Sequence, residues 1–399
     1  MFRNATRLGT RGVNRSSESI VRTFGKRERV LHVGDEALNP QCPQPGRCQR
    51  PGEADCAASA ALAGAGFLPS RPWLWIASAL LLAGCAAPAP TPQRAVDLQA
   101  HRGGRALAPE NTLGAFTHAI AIGVTTLELD IGLTADDVVV ISHDTVLNPD
   151  HTRDARGDFL RAKGPAIRSL SLAQLQTYDV GRINPASSYG KPFPKQLWHD
   201  GERIPTLAAL FARVDALGAS EVRFNIETKL DPGRPDETAS PEQMVRALLA
   251  EIDKAGMARR VTVQSFDWRS LALVGQWAPL TPRAYLTSSR TLQDSRWTAG
   301  LKLAEFGSAP RLVKAAAGEG LAPVIWSPAY NDLSPALVQE AHALGLAVLP
   351  WTVNQRADMA RLLDWGVDGI ITDDPAILRD LLGERGAPLP AKRGAEGVR

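Results

Sequence analysis

Residues 323–372 read PVIWSPAYNDLSPALVQEAHALGLAVLPWTVNQRADMARLLDWGVDGIIT. Short apolar runs alternate here with longer segments of helical periodicity, and glycines follow the helical segments as suitable stops. The pattern predicts strands at Pro323–Ser327, Ala347–Val353 and Gly369–Thr372, with helices at Leu333–Leu344 and Met359–Trp365. Strands that are separated by helices indicate βα units and a parallel sheet.

The same alternation extends back to residue 96. Five further strands are predicted at Val96–His101, Thr125–Asp130, Val222–Glu227, Val261–Ser265 and Arg283–Leu286. Eight parallel strands with intervening helices over roughly 290 residues favour an α/β fold of the TIM (β/α)8 barrel type. A doubly wound open sheet is the alternative, but no Gly-rich nucleotide-binding motif follows the first strand.

Two segments do not fit this alternation. The apolar run Val138–Ser142 follows the second strand too closely for a parallel crossover, so we expect it to return antiparallel as a hairpin. Residues 144–205 are rich in Pro, Gly, Asp and Arg, with one short helical piece at Ser171–Tyr178. We interpret them as an insertion over the C-terminal face of the barrel.

The chain ends differ in composition from the predicted barrel domain at 96–385. Residues 1–70 are interpreted as a disordered or mis-started leader, 86–95 as a tether and 386–399 as a flexible tail. Residues 71–85 contain an eleven-residue apolar run, too short to span a bilayer as a helix. The run ends at Cys85 in a sequence that resembles a bacterial lipoprotein processing site. A buried apolar helix is the alternative.

This N-terminal pattern predicts an exported protein. The expected location is periplasmic or cell-envelope, with membrane attachment only through a lipid at Cys85. All four cysteines precede residue 96, which excludes a thiol nucleophile and thiolate metal ligands from the barrel. A net charge of +3 is too small to indicate a nucleic-acid partner.

Three acids lie at the predicted ends of neighbouring strands. Glu128 and Asp130 are two residues apart, so both side chains point to the same face of their strand. Glu227 ends the next barrel strand. Three carboxylates at the C-terminal mouth suit one hard divalent cation, Ca²⁺ or Mg²⁺. The alternative is a carboxylate network paired with Arg and Lys.

Two histidines and two cationic residues accompany these acids. His101 follows the first strand and His143 follows the hairpin, which suits a general base and a general acid near neutral pH. Arg102 and Lys229 lie close to the carboxylates, which indicates binding of a phosphate. The remaining histidines (32, 118, 151, 199 and 342) are interpreted as surface or packing residues.

The sequence Glu110-Asn111-Thr112 opens a helix with apolar periodicity. Asn111 is a good helix N-cap, and this structural role alone would explain its presence. Glu110 can instead pair with Arg102 and fix the orientation of its guanidinium. The sequence leaves these two interpretations open.

The motifs HRGG, PENT, ELDIGLTADDVVVISHD, NIETK, VQSFDW, WSP, PWTVN and GIITDDP follow one another between Ala100 and Pro375. Together they resemble the glycerophosphodiester phosphodiesterase family. The resemblance implies a TIM barrel that hydrolyses glycerophosphodiesters to glycerol 3-phosphate and an alcohol with a divalent cation. The small-molecule glycerophosphodiester would be the substrate.

The resemblance also implies roles for individual residues. Glu128, Asp130 and Glu227 would bind the metal, His101 and His143 would be the acid/base pair, and Arg102 and Lys229 would hold the phosphate. Trp351, and also Trp326, would form an apolar wall against the glycerol carbons or would pack in the fold. The family's last motif usually has an aromatic residue where this chain has Asp374, and its hairpin turn usually reads Asp-Gly where this chain has Asp136-Asp137.

Two other functions compete with this interpretation. A phospholipase D-like enzyme of the same barrel superfamily would act on lysolipids, although the polar insertion at 144–205 argues against a membrane-inserting rim. A non-catalytic envelope lipoprotein would bind glycerophosphodiesters without cleaving them, although every proposed catalytic group is present.

Overall fold

The computed structural model describes residues 95–393. The predicted leader, the signal segment with Cys85 and the final residues of the tail lie outside this range, as does the tether up to residue 94. Within residues 95–393, no helix is long and apolar enough to cross a membrane.

A sheet of nine strands forms the centre of the described part of the chain. The strands are β1 (Asp97–Ala100), β2 (Thr126–Leu133), β3 (Val139–Ile141), β4 (Arg223–Thr228), β5 (Val261–Ser265), β6 (Arg283–Thr287), β7 (Val324–Pro328), β8 (Ala347–Val348) and β9 (Gly369–Thr372). All except β3 are parallel neighbours in the order β8-β7-β6-β5-β4-β2-β1-β9.

Backbone hydrogen bonds join the two ends of this order. Asp368 N–H donates to Val348 O at 2.9 Å, and Ile371 N–H donates to Pro350 O at 3.0 Å. These bonds bring the chain around β8 against β9. The predicted TIM barrel is therefore confirmed.

Helices alternate with the strands and cover the outside of the barrel. They are α1 (Leu113–Ile122), α2 (Leu172–Leu175), α3 (Leu207–Ala216), α4 (Pro241–Lys254), α5 (Trp268–Trp277), α6 (Leu303–Phe306), α7 (Ala309–Ala317), α8 (Pro335–Ala343), α9 (Arg356–Asp364) and α10 (Pro375–Glu384). The exception is α2, which lies within residues 144–205. The apolar faces of the other helices and the buried strand residues form one continuous core.

Strand β8 is much shorter than the predicted Ala347–Val353. Pro350 has no N–H to donate, so the regular ladder cannot continue through it. Single hydrogen bonds replace the ladder beyond Val348, from Leu349 N–H to Trp326 O (2.9 Å) and from Val353 N–H to Ile371 O (3.0 Å).

The β2–β3 hairpin has the antiparallel pairing expected from its short connection. Ile131 pairs with Ile141, and Ser142 N–H donates to Asp130 O at 3.0 Å. The returning strand therefore ends beside Asp130, and His143 follows it there. The hairpin explains how Glu128, Asp130 and His143 can contribute to one site.

Residues 144–205 pack around a small apolar cluster of their own, with members at Val140, Leu147, Ile167, Leu175, Val180 and Ile204. The insertion also binds the loop that follows β1. Gln196 Nε2 donates to Arg105 O at 2.6 Å, and Leu197 N–H donates to Leu107 O at 2.9 Å. Because that loop leaves the C-terminal end of β1, the insertion covers this face of the barrel, as expected.

Two predicted boundaries need correction. The N-cap of α1 is Thr112 and not Asn111, because the Thr112 hydroxyl accepts a hydrogen bond from Ala115 N–H at 3.1 Å. The C-terminal tail begins later than residue 386. Leu389 packs against the core, and Arg379 Nη2 donates to Pro390 O at 2.8 Å.

Candidate active site

The turn after β1 is tightly packed. His101–Gly103 form one turn of 3₁₀ helix, in which Arg102 and Gly103 have positive φ angles of 53° and 82°. A Cβ atom on Gly103 would lie 2.9 Å from the Cβ of Ala115, so only glycine fits. The turn directs the Arg102 N–H to Glu128 Oε2 at 2.8 Å.

The three predicted metal ligands come together at the C-terminal side of β2 and β4. The strand register pairs Asp130 with Glu227, and Glu128 lies two residues before Asp130. Ligand oxygens of all three acids lie within 4.8 Å of one another, and the side chains are buried. Burial, together with the charge of Asp130, raises the pKa of Glu128 well above its usual value and that of Glu227 to about 7.

These carboxylates suit a divalent cation. The Oδ1 atom of Asp130 accepts no hydrogen bond from any described residue, and its nearest cationic neighbour, Lys229 Nζ, lies 3.5 Å away. Three buried carboxylates repel one another unless a proton or a cation neutralises them. Oxygen ligands without thiolates favour a hard cation. The acid cluster can therefore hold a metal ion.

The two predicted phosphate-binding cations flank this cluster. Arg102 Nη1 lies 2.7 Å from Glu110 Oε1, and Lys229 Nζ lies 2.7 Å from Glu227 Oε1. Burial alone would raise the pKa of Glu110, but the charge of Arg102 and that of neighbouring cations lower it to about 2. The Glu110 carboxylate is thus ionised and fixes the Arg102 guanidinium.

Asn111 also belongs to the site. Its Nδ2 donates to Asp130 Oδ2 at 3.0 Å, and its φ angle is 57°. The residue next to the helix cap is therefore turned inward toward an acid. This contact explains why Thr112, and not Asn111, caps α1.

His101 faces Asp373 across the closing strands of the barrel. The register pairs Ala100 with Thr372, so the residues that follow each strand are neighbours. His101 Nδ1 lies 2.5 Å from Asp373 Oδ1. The sequence offered a signal for Asp373, since it is an acid directly after the last strand. Its neighbour Asp374 is the residue that departs from the family's motif.

Asp373 is itself held by two further side chains. Arg105 Nε donates to Oδ1 at 2.7 Å, and Asn354 Nδ2 donates to Oδ2 at 2.7 Å. Burial would raise the pKa of Asp373, but His101 and Arg105 outweigh this effect and keep it below its usual value. Burial lowers the pKa of His101, although Asp373 opposes that shift. The imidazole is therefore neutral at pH 7 and anchored by a carboxylate.

His143 has a carboxylate neighbour of its own. Its Nδ1 lies 3.1 Å from Asp144 Oδ1. Burial, then the charges of Arg102 and Lys229, lower the pKa of His143 to about 4. Both histidines thus use Nδ1 for a carboxylate, which leaves Nε2 for other partners.

Most of the predicted groups line one small cavity of about 140 Å³, although Glu110 and Asp130 do not. Its lining residues include His101, Arg102, Glu128, His143, Glu227, Lys229 and Trp351. A larger cleft of about 650 Å³ shares five lining residues with it, namely His143, Glu227, Lys229, Phe266 and Trp351. Trp326 lines neither. It is buried, and its Nε1 donates to Thr287 Oγ1 at 2.9 Å, so it is a packing residue.

His151 and His199 occupy different environments, both compatible with the surface or packing roles that the sequence indicated. The His151 ring centroid lies 5.8 Å from that of Tyr189, and its Nε2 lies 3.6 Å from Asp144 Oδ2, beyond hydrogen-bond distance. His199, by contrast, has a side chain that is 69% exposed. No periodic pattern distinguishes the two, because both belong to the irregular insertion.

The sequence of the barrel matches a known family of proteins. The model of the glycerophosphoryl diester phosphodiesterase family matches residues 101–377, which include every acid and histidine of the cavity. The chain belongs to this family. A glycerophosphodiester phosphodiesterase from Caldanaerobacter subterraneus subsp. tengcongensis is 30% identical over 291 residues, covering 72% of this chain and 98% of the relative.

Solved structures of glycerophosphoryl diester phosphodiesterase type have the same fold. A candidate member from Silicibacter pomeroyi is 34% identical, with a TM-score of 0.66, and the match covers 74% of this chain and 95% of that one. An Oleispira antarctica phosphodiesterase, solved with the product sn-glycerol-3-phosphate, is 23% identical with a TM-score of 0.52, over 72% of this chain and 97% of that one. The second likeness concerns the fold alone.

Proposed function

We propose that this family member hydrolyses glycerophosphodiesters to sn-glycerol 3-phosphate and an alcohol with the help of one divalent cation, Ca²⁺ or Mg²⁺. The observation that carries the proposal is the convergence of two carboxylate-anchored histidines and members of the acid cluster on one 140 Å³ cavity. A phosphodiester needs charge neutralisation and two proton transfers, and these groups supply both.

Arg102 and Lys229 bind the phosphodiester in this proposal. Both line the cavity, and both are held by carboxylates that leave donors free for a ligand. Glu128, Asp130 and Glu227 would hold the cation, which would supply further positive charge next to the phosphate. These contacts strengthen as negative charge develops on the phosphoryl oxygens in the transition state.

His101 and His143 transfer the protons. One imidazole starts neutral and accepts the proton of the nucleophile as the new P–O bond forms. The other must start as an imidazolium, a form that the bound phosphodiester anion favours, and it gives its proton to the leaving alkoxide as the old P–O bond breaks. The nucleophile is either water or the glycerol 2-hydroxyl, which would give a cyclic phosphate first. Asp373 and Asp144 bind Nδ1 of the two rings and so direct Nε2 to the substrate.

The 140 Å³ cavity and the adjoining cleft bind different parts of the substrate in this proposal. The small cavity accepts the glycerol phosphate, with Trp351 as an apolar wall against the glycerol carbons. The adjoining 650 Å³ cleft has room for the leaving alcohol and combines charged residues such as Asp231 and Arg234 with apolar ones such as Phe266 and Trp297. The charged residues favour a deacylated, polar headgroup over a lipid with an acyl chain.

A comparison of two substrates tests that preference. We expect glycerophosphocholine to be turned over with a higher kcat/KM than lysophosphatidylcholine, measured by choline release under the same conditions. Faster turnover of the lysolipid would favour a phospholipase D-like enzyme instead.

Histidine variants test catalysis against simple binding. His101→Ala and His143→Ala are each expected to reduce kcat by at least about 100-fold, because general acid–base catalysis contributes on that order. Circular dichroism and the melting temperature serve as controls for folding. If both variants hydrolyse glycerophosphodiesters as fast as the parent protein, the proposed acid/base pair is wrong.

We further propose that the protein is an exported lipoprotein. The support is the sequence around Cys85, which lies outside the described residues. Mass spectrometry of the mature protein is expected to find a lipidated Cys85 at the N-terminus. A mature chain that retains residues 1–84 would contradict the proposal.

A further inference from the structure

Asp144 lies between two histidines. Its Oδ1 atom is 3.1 Å from Nδ1 of His143, and its Oδ2 atom is 3.6 Å from Nε2 of His151. Asn148 Nδ2 also donates to Oδ2 at 2.8 Å. Asp144 therefore connects one acid/base histidine to a second histidine that the proposed reaction does not use.

The charges around His151 raise its pKa. Its side chain is only 16% exposed, and its charged neighbours are Asp144 and Glu110 on the negative side and Arg102 on the positive side. Burial lowers the pKa of His151, but the two carboxylates outweigh burial and raise it. The Tyr189 ring covers one side of the imidazole and adds no charge, because its pKa is far above neutral.

The carboxylate of the other acid/base histidine also has two supporting side chains. Asp373, which lies beside His101, accepts from Arg105 Nε at 2.7 Å and from the amide of Asn354. Asp144, which lies beside His143, accepts from the amide of Asn148, and His151 Nε2 lies 3.6 Å from the same oxygen, Oδ2. Side chains that support a carboxylate fix its orientation toward the histidine that it binds.

We propose that His151 is a positioning residue that holds the Asp144 carboxylate against His143. The inference rests on the proposed function, since it assigns His151 to the support of that reaction. His151 does not line the 140 Å³ cavity, so it does not contact the substrate there. Its loss is therefore expected to change the rate of the reaction more than the binding of substrate.

The first test compares two histidines of the same insertion. His151→Gln keeps a polar side chain but cannot carry a charge, whereas His199→Gln is the matched control at an exposed position. We expect His151→Gln to reduce kcat by about 10-fold with KM changed by less than about 2-fold, as for other groups that orient a functional side chain. The control is expected to match the parent protein. Equal kcat values for both variants would overturn the proposal.

A double-mutant cycle tests whether the effect passes through Asp144. In an Asp144→Asn background, His151→Gln is expected to lower kcat by less than about 2-fold, because the carboxylate that it positions is already absent. If the full reduction persists in that background, His151 acts independently of Asp144 and the proposal is wrong. A parent protein that releases no glycerol 3-phosphate would instead show that the proposed function itself fails.

A measurement on the unmodified protein covers the case in which His151→Gln does not fold. Histidine side chains labelled with ¹⁵N report the protonation state of each ring by NMR. We expect the His151 ring to keep its proton to a higher pH in the folded protein than in the urea-unfolded chain. Titration of His151 in the folded protein at or below its pH in the unfolded chain would overturn the proposal.

Discussion

At the scale of single residues, the two proposed acid/base histidines obtain their carboxylates in different ways. Asp144 is the next residue after His143, whereas Asp373 reaches His101 from the other end of the barrel. Both carboxylates bind Nδ1 and so fix the ring orientation and tautomer. Because Asp373 is distant from His101 in the sequence, its substitution tests directly whether barrel closure supplies the partner of His101.

Asp373→Asn is expected to lower kcat by about 100-fold, a typical contribution of an acid/base group. The negative charge of Asp373 raises the pKa of His101, so its removal lowers that pKa further. The limb of the pH–rate profile that reports His101 therefore moves to lower pH. A shifted acidic limb would identify His101 as the base, and a shifted basic limb would identify it as the acid.

Asp374→Asn is the matched control for this variant. The Asp374 side chain caps α10 by accepting a hydrogen bond from Ile377 N–H at 3.4 Å, and asparagine caps helices equally well. Its kcat and pH profile are expected to remain those of the parent. Identical profiles for both variants would show that Asp373 does not support His101.

Glu128→Gln tests the acid cluster without using activity. The variant removes one of three crowded carboxylates, so we expect the Kd for Ca²⁺ or Mg²⁺ to rise at least about 10-fold in isothermal titration calorimetry. Without metal, the melting temperature is expected to fall slightly, because both Glu128 oxygens accept hydrogen bonds, from Arg102 N–H and Gln264 Nε2, and a glutamine can accept only one of them. Glu221→Gln, at an exposed acid before β4, is the control. Unchanged metal affinity in Glu128→Gln would exclude the cluster as the metal site.

The acids and histidines that line the cavity were predictable from the sequence because each sits at the end of a predicted strand. The contacts of the supporting residues were not predictable, although Asp373 directly follows the last predicted strand. Asn354 and Asp373 come together through barrel closure, and His151 lies beside Asp144 because of the path of an irregular insertion. Neither contact follows from a periodic pattern in the sequence.

At the scale of elements, short connections were the most informative. The few residues between β2 and β3 allow only a hairpin, and this constraint correctly placed His143 beside Asp130. Helix ends were less certain, since Asn111 and Thr112 are both good capping residues. The hydrogen bond from Asn111 to the buried Asp130, which the sequence did not predict, leaves Thr112 as the cap.

Thr112→Ala tests the observed cap of α1. Removal of the hydroxyl that accepts from Ala115 N–H is expected to lower the free energy of unfolding by about 1 kcal/mol. Thr112→Ser retains the hydroxyl and is expected to lose much less. Urea denaturation followed by circular dichroism measures both. Equal stability of the alanine and serine variants would show that Thr112 is not an effective cap.

At the scale of the whole molecule, the number and order of the parallel strands followed from the alternation of apolar runs and helices. The closing contacts did not, because β8 is interrupted at Pro350 and only single hydrogen bonds join it to the last strand. The sequence therefore predicted the barrel but not which side chains its closure brings together.

All residues of the proposed site lie between His101 and Asp373, within the part of the chain that forms the barrel and its insertion. A variant that begins at Ala95 is therefore expected to fold and to keep the kcat of the longer protein within about 2-fold. Thermal melting and product release measure the two properties. A folded variant with a much lower kcat would show that residues 1–94 contribute to catalysis.

The most direct test of the account is release of sn-glycerol 3-phosphate from glycerophosphodiesters by the purified protein, measured across several headgroups with and without a chelator. We expect product release in the presence of Ca²⁺ or Mg²⁺, loss of activity with the chelator, and recovery when the cation is restored. Failure to release glycerol 3-phosphate from any headgroup, with either cation present, would contradict the account.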